Sequence, residues 1–66
     1  MRYQFLVREQ LSEWAEAAFP ELTVKAGPVG GTILYGDVRD ESALHGLLAR
    51  FATLGLKVVE MRQLPD

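Results

Sequence analysis

The chain has no cysteine and only one histidine, His45, among its 66 residues. Without cysteine there can be no disulfide and no thiolate-bound metal, and one histidine cannot supply a zinc site built from several histidines. Aromatic residues make up only 9% of the chain, but apolar residues make up 48%, which is typical of a folded domain. A single domain of this size, here residues 1–66, buries only about 60% of its unfolded surface. Self-association is therefore the remaining means of supporting so small a core.

The sequence also lacks an excess of basic residues and lacks long apolar runs. Seven lysines and arginines stand against nine acidic residues, and the formal net charge is −2. This balance gives no basic surface for nucleic acid or an anionic membrane. No apolar run approaches the length of a membrane-spanning helix, and no signal-peptide pattern is present. We expect a cytoplasmic protein that needs no cofactor and binds neither nucleic acid nor membrane.

The first part of the chain changes its hydrophobic period. Residues 2–8 (RYQFLVR) alternate in the manner of a β-strand. Residues 9–19 have the period of a short amphipathic helix, which places Trp14 and Phe19 in the core, and Pro20 ends it. The pattern therefore predicts a strand followed by a helix.

The middle of the chain predicts a β-hairpin. Residues 22–26 and 32–38 have strand character, and GPVGG at residues 27–31 has the composition of a turn. This glycine-rich stretch is not a phosphate-binding loop, because no lysine–serine or lysine–threonine pair ends it and a strand follows it.

A second helix and a last strand complete the chain. Asp40 suits the N-cap position, and Gly55 suits the residue that follows the helix. Between them, leucines and Phe51 recur at helical spacing, and residues 56–64 form the last predicted strand. The order βαββαβ predicts an α+β ferredoxin-like, split βαβ sandwich: a four-stranded antiparallel sheet with both helices on one face.

An open sheet of this kind leaves one face without helices, and that face should be polar. Here the strands carry apolar residues on both faces, whichever face meets the helices. The candidate interface residues on the open face are Leu6, Leu34, Val59 and Met61. A contiguous apolar patch on a small domain marks an interface, and a two-fold homodimer is the commonest result. The alternative is that twisted edges and helix ends cover these residues in the monomer.

His45 and Gly46 interrupt the apolar stripe of the second helix. Glu41 precedes His45 by one helical turn, so its carboxylate could orient the imidazole. Ser42 lies three residues before His45, but a serine, a histidine and a carboxylate on one turn cannot surround a scissile bond. His45 is therefore a residue of the helix flank or a binding residue, and we assign no catalytic residue. Gly46 either admits the close approach of a partner or is a tolerated helix defect.

The C-terminal half resembles a group of short, uncharacterised bacterial proteins. The resemblance covers roughly residues 36–64 and rests on Val-Arg-Asp, then Leu-His-Gly-Leu-Leu (residues 44–48), then Leu-Gly-Leu before the last strand. It implies no catalytic assignment. The overall shape is similar to ACT-type and dimeric α+β barrel domains, and this implies a domain that dimerises or binds a small ligand.

Two functions from different classes follow from these observations. The first is a non-catalytic interaction or regulatory module that acts as a homodimer or with a protein partner. The second is a domain that binds a small metabolite, with its pocket at a dimer interface or near the second helix. An enzyme is the third alternative.

Overall fold

The computed structural model describes residues 1–66, which form one four-stranded antiparallel sheet and two α-helices. In chain order the elements are β1 (Arg2–Val7), α1 (Glu13–Ala17), β2 (Thr23–Ala26), β3 (Thr32–Asp37), α2 (Glu41–Thr53) and β4 (Val58–Leu64). The prediction of an α+β domain with a four-stranded antiparallel sheet and two helices is confirmed.

The strands follow the order β2-β3-β1-β4 across the sheet, so β2 and β4 are its edges. Every neighbouring pair is antiparallel. The register places Phe5 of β1 opposite both Leu34 of β3 and Met61 of β4. Because residues directly opposite each other point to the same face, this row identifies one face of the sheet.

The register between β1 and β4 shifts at one point. Leu6 is opposite Glu60, and Val7 is opposite Val58, so Val59 is an extra residue in β4. An extra residue of this kind is a β-bulge, and it interrupts the regular alternation of side chains between the two faces. Val58 and Met61 consequently lie on the same face, although three positions separate them.

The hydrophobic core lies between α2 and the face that carries Phe5. The Phe51 ring of α2 has its centroid 5.2 Å from that of Phe5 and 4.6 Å from that of Phe19, which follows α1. All three rings are at most 1% exposed, so they join the sheet, α2 and the end of α1. The other core residues are Val7, Leu22, Leu34, Val38, Leu44 and Leu47.

Both predicted ends of α2 are confirmed. The Asp40 side chain accepts a hydrogen bond from the backbone N–H of Ala43 at 2.8 Å, as an N-cap does. Gly55 has a φ of 73° directly after the C-cap Leu54, a left-handed conformation that glycine adopts without strain.

The first helix is shorter than the sequence predicts, because tertiary contacts hold the residues before it in another conformation. The Thr32 hydroxyl donates to the carbonyl oxygen of Glu9 at 2.8 Å and accepts from the N–H of Leu11 at 3.3 Å. The helix then begins after Ser12, whose hydroxyl accepts from the N–H of Ala15 at 3.2 Å. The hydrophobic period of a sequence determines where a helix begins only weakly when such tertiary contacts compete with it.

The prediction that Trp14 lies in the core is wrong, whereas the same prediction for Phe19 is confirmed. Trp14 is 86% exposed, and Phe19 is 1% exposed. The inner side of α1 runs through Ala15 and Ala18, which are partly buried, and on to Phe19. At about 100° per residue, Trp14 lies on the flank of that side.

The predicted turn between β2 and β3 is confirmed, and it contains a conformation that the sequence did not indicate. Val29 has a φ of 54° and a ψ of 37° within a single 3₁₀ turn, Pro28–Gly30. Left-handed backbone is rare for a β-branched residue, and the Val29 side chain is fully exposed. No buried contact of the side chain therefore offsets this backbone strain.

Candidate functional site

The face of the sheet opposite the core carries no helix. Leu6 of β1 lies opposite Ile33 of β3, and Tyr35 lies two positions further along β3. All three are half-buried, and they form the apolar centre of this face. We call it the uncovered face, and its strand residues are Arg2, Gln4, Leu6, Thr23, Lys25, Ile33, Tyr35, Asp37, Glu60, Arg62 and Leu64.

Charged residues on the two edge strands border this apolar centre. Lys25 of β2 is opposite Ile33, and Glu60 of β4 is opposite Leu6. One row across the sheet therefore has a cation at one edge, two aliphatic side chains in the middle and an anion at the other edge. The Lys25 ammonium also lies 5.6 Å from the Tyr35 ring centroid, so it covers part of the aromatic surface.

The turn between β2 and β3 extends the apolar surface at one end. A shallow cavity of about 220 Å³ lies there, with Leu6, Val7, Val29 and Val59 as its hydrophobic lining and Pro28 beside them. Val59 is 46% exposed, as the bulged residue of β4. Of the four predicted interface residues, Leu6 and Val59 thus meet at one surface.

The other two predicted interface residues lie elsewhere. Leu34 is opposite Phe5 and 0% exposed, so it belongs to the core and adds nothing to a surface of the monomer. Met61 is 42% exposed but also opposite Phe5, so it lies on the helix-covered face at its edge. Strict alternation predicts that Val59 and Met61 share a face, and the bulge breaks that alternation. β3 carries apolar residues on both faces, so its sequence does not show which face Leu34 occupies. Only the pairing of β3 with β1 places Leu34 on the core face.

His45, Gly46 and Glu41 are all exposed residues of α2. No hydrogen bond or ion pair joins Glu41 to His45. A Cβ atom built on Gly46 would meet no atom within 4 Å. Gly46 therefore faces open space, and no other part of the chain packs closely against it.

A polar cavity of about 350 Å³ lies beside Gly46. Arg50 and Glu21 line it together with Arg39 and Asp37. Arg50 Nη1 donates to both carboxylate oxygens of Glu21, at 2.9 and 3.0 Å. This hydrogen bond lowers the pKa of the Glu21 carboxyl below its ordinary value.

Asp40, at the start of α2, also has a lowered pKa. The main cause is the hydrogen bond from the backbone N–H of Ala43, and the nearby Arg39 guanidinium adds to it. This perturbation is what an N-cap carboxylate shows, so it indicates a structural role rather than a reactive group.

Sequence reasoning missed a second apolar surface on the helical side of the molecule. Trp14, Ala17, Ala18 and Leu54 line an open groove of about 520 Å³, and Glu13 is its one charged lining residue. The exposed fractions of Trp14 and Leu54 are 86% and 39%. No sequence signal pointed to this surface, because its two sides, Trp14 and Leu54, come from elements that are distant along the chain.

No three histidine, cysteine or acidic side chains lie close enough together to hold a metal ion. None of the helices has the length and apolar character required to cross a membrane.

These elements define a small α+β domain with one uncovered sheet face. A family model described as a domain of unknown function, DUF8691, matches residues 2–62. The chain therefore belongs to the DUF8691 family. Comparisons with curated proteins and with solved structures found no match.

Proposed function

We propose that this protein is a non-catalytic interaction module that forms a homodimer through the uncovered face. The observation that carries the proposal is the row Lys25, Ile33, Leu6 and Glu60, which crosses the uncovered face from edge to edge. An apolar centre inside a charged border is the anatomy of a protein interface. The small size of the domain supports the same proposal, because its core is marginal by itself.

The proposed fold is the ferredoxin-like sandwich, and the sheet order supports it. β3 lies between β1 and β2, and β1 lies between β3 and β4. Each helix consequently connects two strands that are separated by a strand of the other βαβ unit. That separation is what the term split βαβ describes.

The dimensions of the molecule fit a modest interface. The two longer Cα extents are 28 and 23 Å. A contact face no larger than these extents covers at most about 600 Å² per copy, less than the ~800 Å² per partner of a standard interface. We therefore expect a dimer that dissociates on dilution rather than an obligate one.

Charge complementarity specifies how two copies meet. Sheets that pack face to face keep their strand directions within about 30° of each other. A two-fold axis between the sheets and parallel to the strands places β2 of one copy over β4 of the other. Lys25 of each copy then faces Glu60 of the second copy, while Ile33 and Leu6 of both copies pack between these two ion pairs.

The test is sedimentation equilibrium over a concentration series. We expect the mass of the wild-type protein to rise from 7.4 kDa toward twice that value. Ile33→Lys places a charge at the apolar centre and should raise the dissociation constant about tenfold or more, which corresponds to ~1.4 kcal/mol or more. Thr53→Lys, which adds the same charge on the exposed side of α2, is the matched control.

Two results would overturn the proposal. One is a monomeric wild-type protein throughout the micromolar range. The other is an equal loss of association in Ile33→Lys and Thr53→Lys, because the uncovered face would then have no special part in it.

The cavity beside Gly46 favours a second function, the binding of a small polar metabolite. Its volume of about 350 Å³ falls within the 300–1,000 Å³ that is usual for ligand sites. Arg39 and Arg50 on its wall would suit a ligand that carries a carboxylate or phosphate group. Thermal-shift screening against metabolites tests this function: reproducible stabilisation by one anionic class, lost in Arg39→Ala, supports it, and no stabilisation by any class refutes it.

A further inference from the structure

Trp14 is the most exposed large aromatic residue of the chain, and its neighbourhood is apolar. Ala17 follows it by three residues and Ala18 by four, so all three lie along one side of α1. Leu54, at the end of α2, closes the groove from the other side. A groove of about 520 Å³ with one exposed indole resembles the pockets in which interface anchors bind.

The segment that contains α1 is strongly acidic. Residues 9–21 contain four glutamates and no lysine, arginine or histidine. Arg50 pairs with Glu21, but no cationic side chain lies within salt-bridge distance of Glu13 or Glu16. Glu13 itself lines the groove. The groove is therefore apolar inside, with the unpaired Glu13 carboxylate on its wall.

We propose that this groove docks a basic peptide segment of another protein, which inserts an apolar side chain beside Trp14 and Leu54. Its lysine or arginine would pair with Glu13, the one carboxylate on the groove wall. A second copy of this chain is a poor occupant, because a two-fold contact at the groove would bring two acidic segments together. The groove lies on the helical side, so the proposed dimer would present one groove on each of its outer surfaces.

The test is selection from a library of random 12-residue peptides displayed on phage. The full-length protein is the target, and peptides that also bind the Leu54→Asp variant are removed. We expect the selected peptides to share a net positive charge and at least one large apolar residue. Selection of neutral or acidic peptides, or of none, would overturn the proposal.

The intrinsic fluorescence of Trp14 provides a direct measurement, because it is the only tryptophan in the chain. Selected peptides, synthesised without tryptophan, should shift the Trp14 emission to shorter wavelength as the indole leaves water. In a Glu13→Lys variant, the dissociation constant should rise about tenfold, which corresponds to ~1.4 kcal/mol of lost electrostatic attraction. Glu16→Lys is the matched control, because Glu16 lines a different cavity and should leave the dissociation constant nearly unchanged. An unchanged dissociation constant in Glu13→Lys would contradict the electrostatic part of the proposal.

Two further observations would assign the groove to a different occupant and overturn the proposal. An emission shift with protein concentration alone would identify a second copy as the occupant. A shift with phosphatidylcholine or phosphatidylserine vesicles, in the absence of peptide, would identify a lipid surface. Neither outcome depends on whether the uncovered face forms a dimer, because the oligomeric mass is measured separately.

Discussion

Arg50 of α2 and Glu21, which lies between α1 and β2, form the most extensive polar contact of the domain. Arg50 Nη1 donates to both Glu21 carboxylate oxygens and also to the carbonyl oxygen of Ala18, at 3.0 Å. The Arg50 guanidinium additionally lies 5.4 Å from the Phe19 ring centroid. One side chain of α2 thus contacts Ala18, Phe19 and Glu21, and it fixes the segment that follows α1 against α2.

Removing this ion pair should change how stability depends on pH. The pKa of Glu21 is lowered in the folded state, so the pair stabilises the fold fully above the unfolded-state pKa of about 4.3. This stabilisation is lost as the pH falls through the lowered folded-state pKa. Both side chains are more than one-third exposed, so we expect Glu21→Gln to lower the free energy of unfolding at pH 7 by only about 0.5 kcal/mol.

Urea unfolding between pH 7 and pH 2 measures this effect. The difference between the wild type and Glu21→Gln should disappear at the acidic end. Glu16→Gln is the control, because Glu16 has no cationic partner. A Glu21→Gln difference that stays constant over the whole pH range would contradict the account.

Gly46→Ala should stabilise the protein. Nothing lies within 4 Å of an added Cβ atom, so the substitution gains helix propensity without a clash. We expect the free energy of unfolding to rise by about 0.5–1 kcal/mol, as measured by thermal or urea unfolding. Gly31→Ala is the opposite case, because its Cβ would lie 2.6 Å from the carbonyl oxygen of Val7, and it should destabilise. A loss of stability in Gly46→Ala would show that this helix surface is not open.

Val29→Gly should also stabilise the protein, for a different reason. A left-handed conformation costs a non-glycine residue about 1–2 kcal/mol, and glycine removes this strain. Glycine also increases the conformational entropy of the unfolded chain, which offsets about 0.5–1 kcal/mol of the stabilisation. The net increase in the free energy of unfolding should be about 0.5–1 kcal/mol.

Gly30→Ala is the matched control for Val29→Gly. Gly30 has a φ of 82° and no atom within 4 Å of its Cβ position, so only the backbone conformation is affected. The two substitutions should change the melting temperature in opposite directions. Equal signs would contradict the left-handed assignment of this turn.

Thr32→Val should destabilise the fold. The Thr32 hydroxyl is part of a buried residue and serves both the carbonyl group of Glu9 and the N–H of Leu11. Valine keeps the shape but leaves both backbone groups without this partner, at a cost of about 1–2 kcal/mol. Thr53→Val, at an exposed position of α2, should stay within about 0.5 kcal/mol of the wild type in urea unfolding. Equal effects at the two threonines would show that the hydroxyl contacts are unimportant.

The helix caps and the strand periods were predictable because they depend on neighbouring residues alone. Asp40 and Gly55 illustrate this: each has a local role that its residue type identifies directly. The same holds for Tyr3, Phe5 and Val7, whose recurrence at every second position marks a strand. Such local signals were enough to predict two helices and four antiparallel strands.

Features that depend on contacts between distant elements were not predictable. The bulge at Val59 arises from the pairing of β4 with β1, and it moved Met61 to the other face. The late start of α1 arises from Thr32, more than twenty residues away, and it left Trp14 in solvent. Both wrong predictions concern the surface on which a side chain lies, so they affected the candidate site more than the fold.

A charge exchange between Lys25 and Glu60 shows whether the uncovered face binds a second copy of itself, as we propose. These residues lie on opposite edge strands of one sheet, three strand spacings or about 14 Å apart, so within one copy they are too distant for an ion pair. Any coupling between them must therefore act between two copies.

The measurement is the dimer dissociation constant, by sedimentation equilibrium, for the wild type, Lys25→Glu, Glu60→Lys and the double variant. Each single reversal should weaken the dimer about tenfold, because two attractive pairs become repulsive, and the double exchange should restore wild-type association. The account would be contradicted if the free-energy effects of the two single reversals simply added in the double variant, or if no variant changed the dissociation constant.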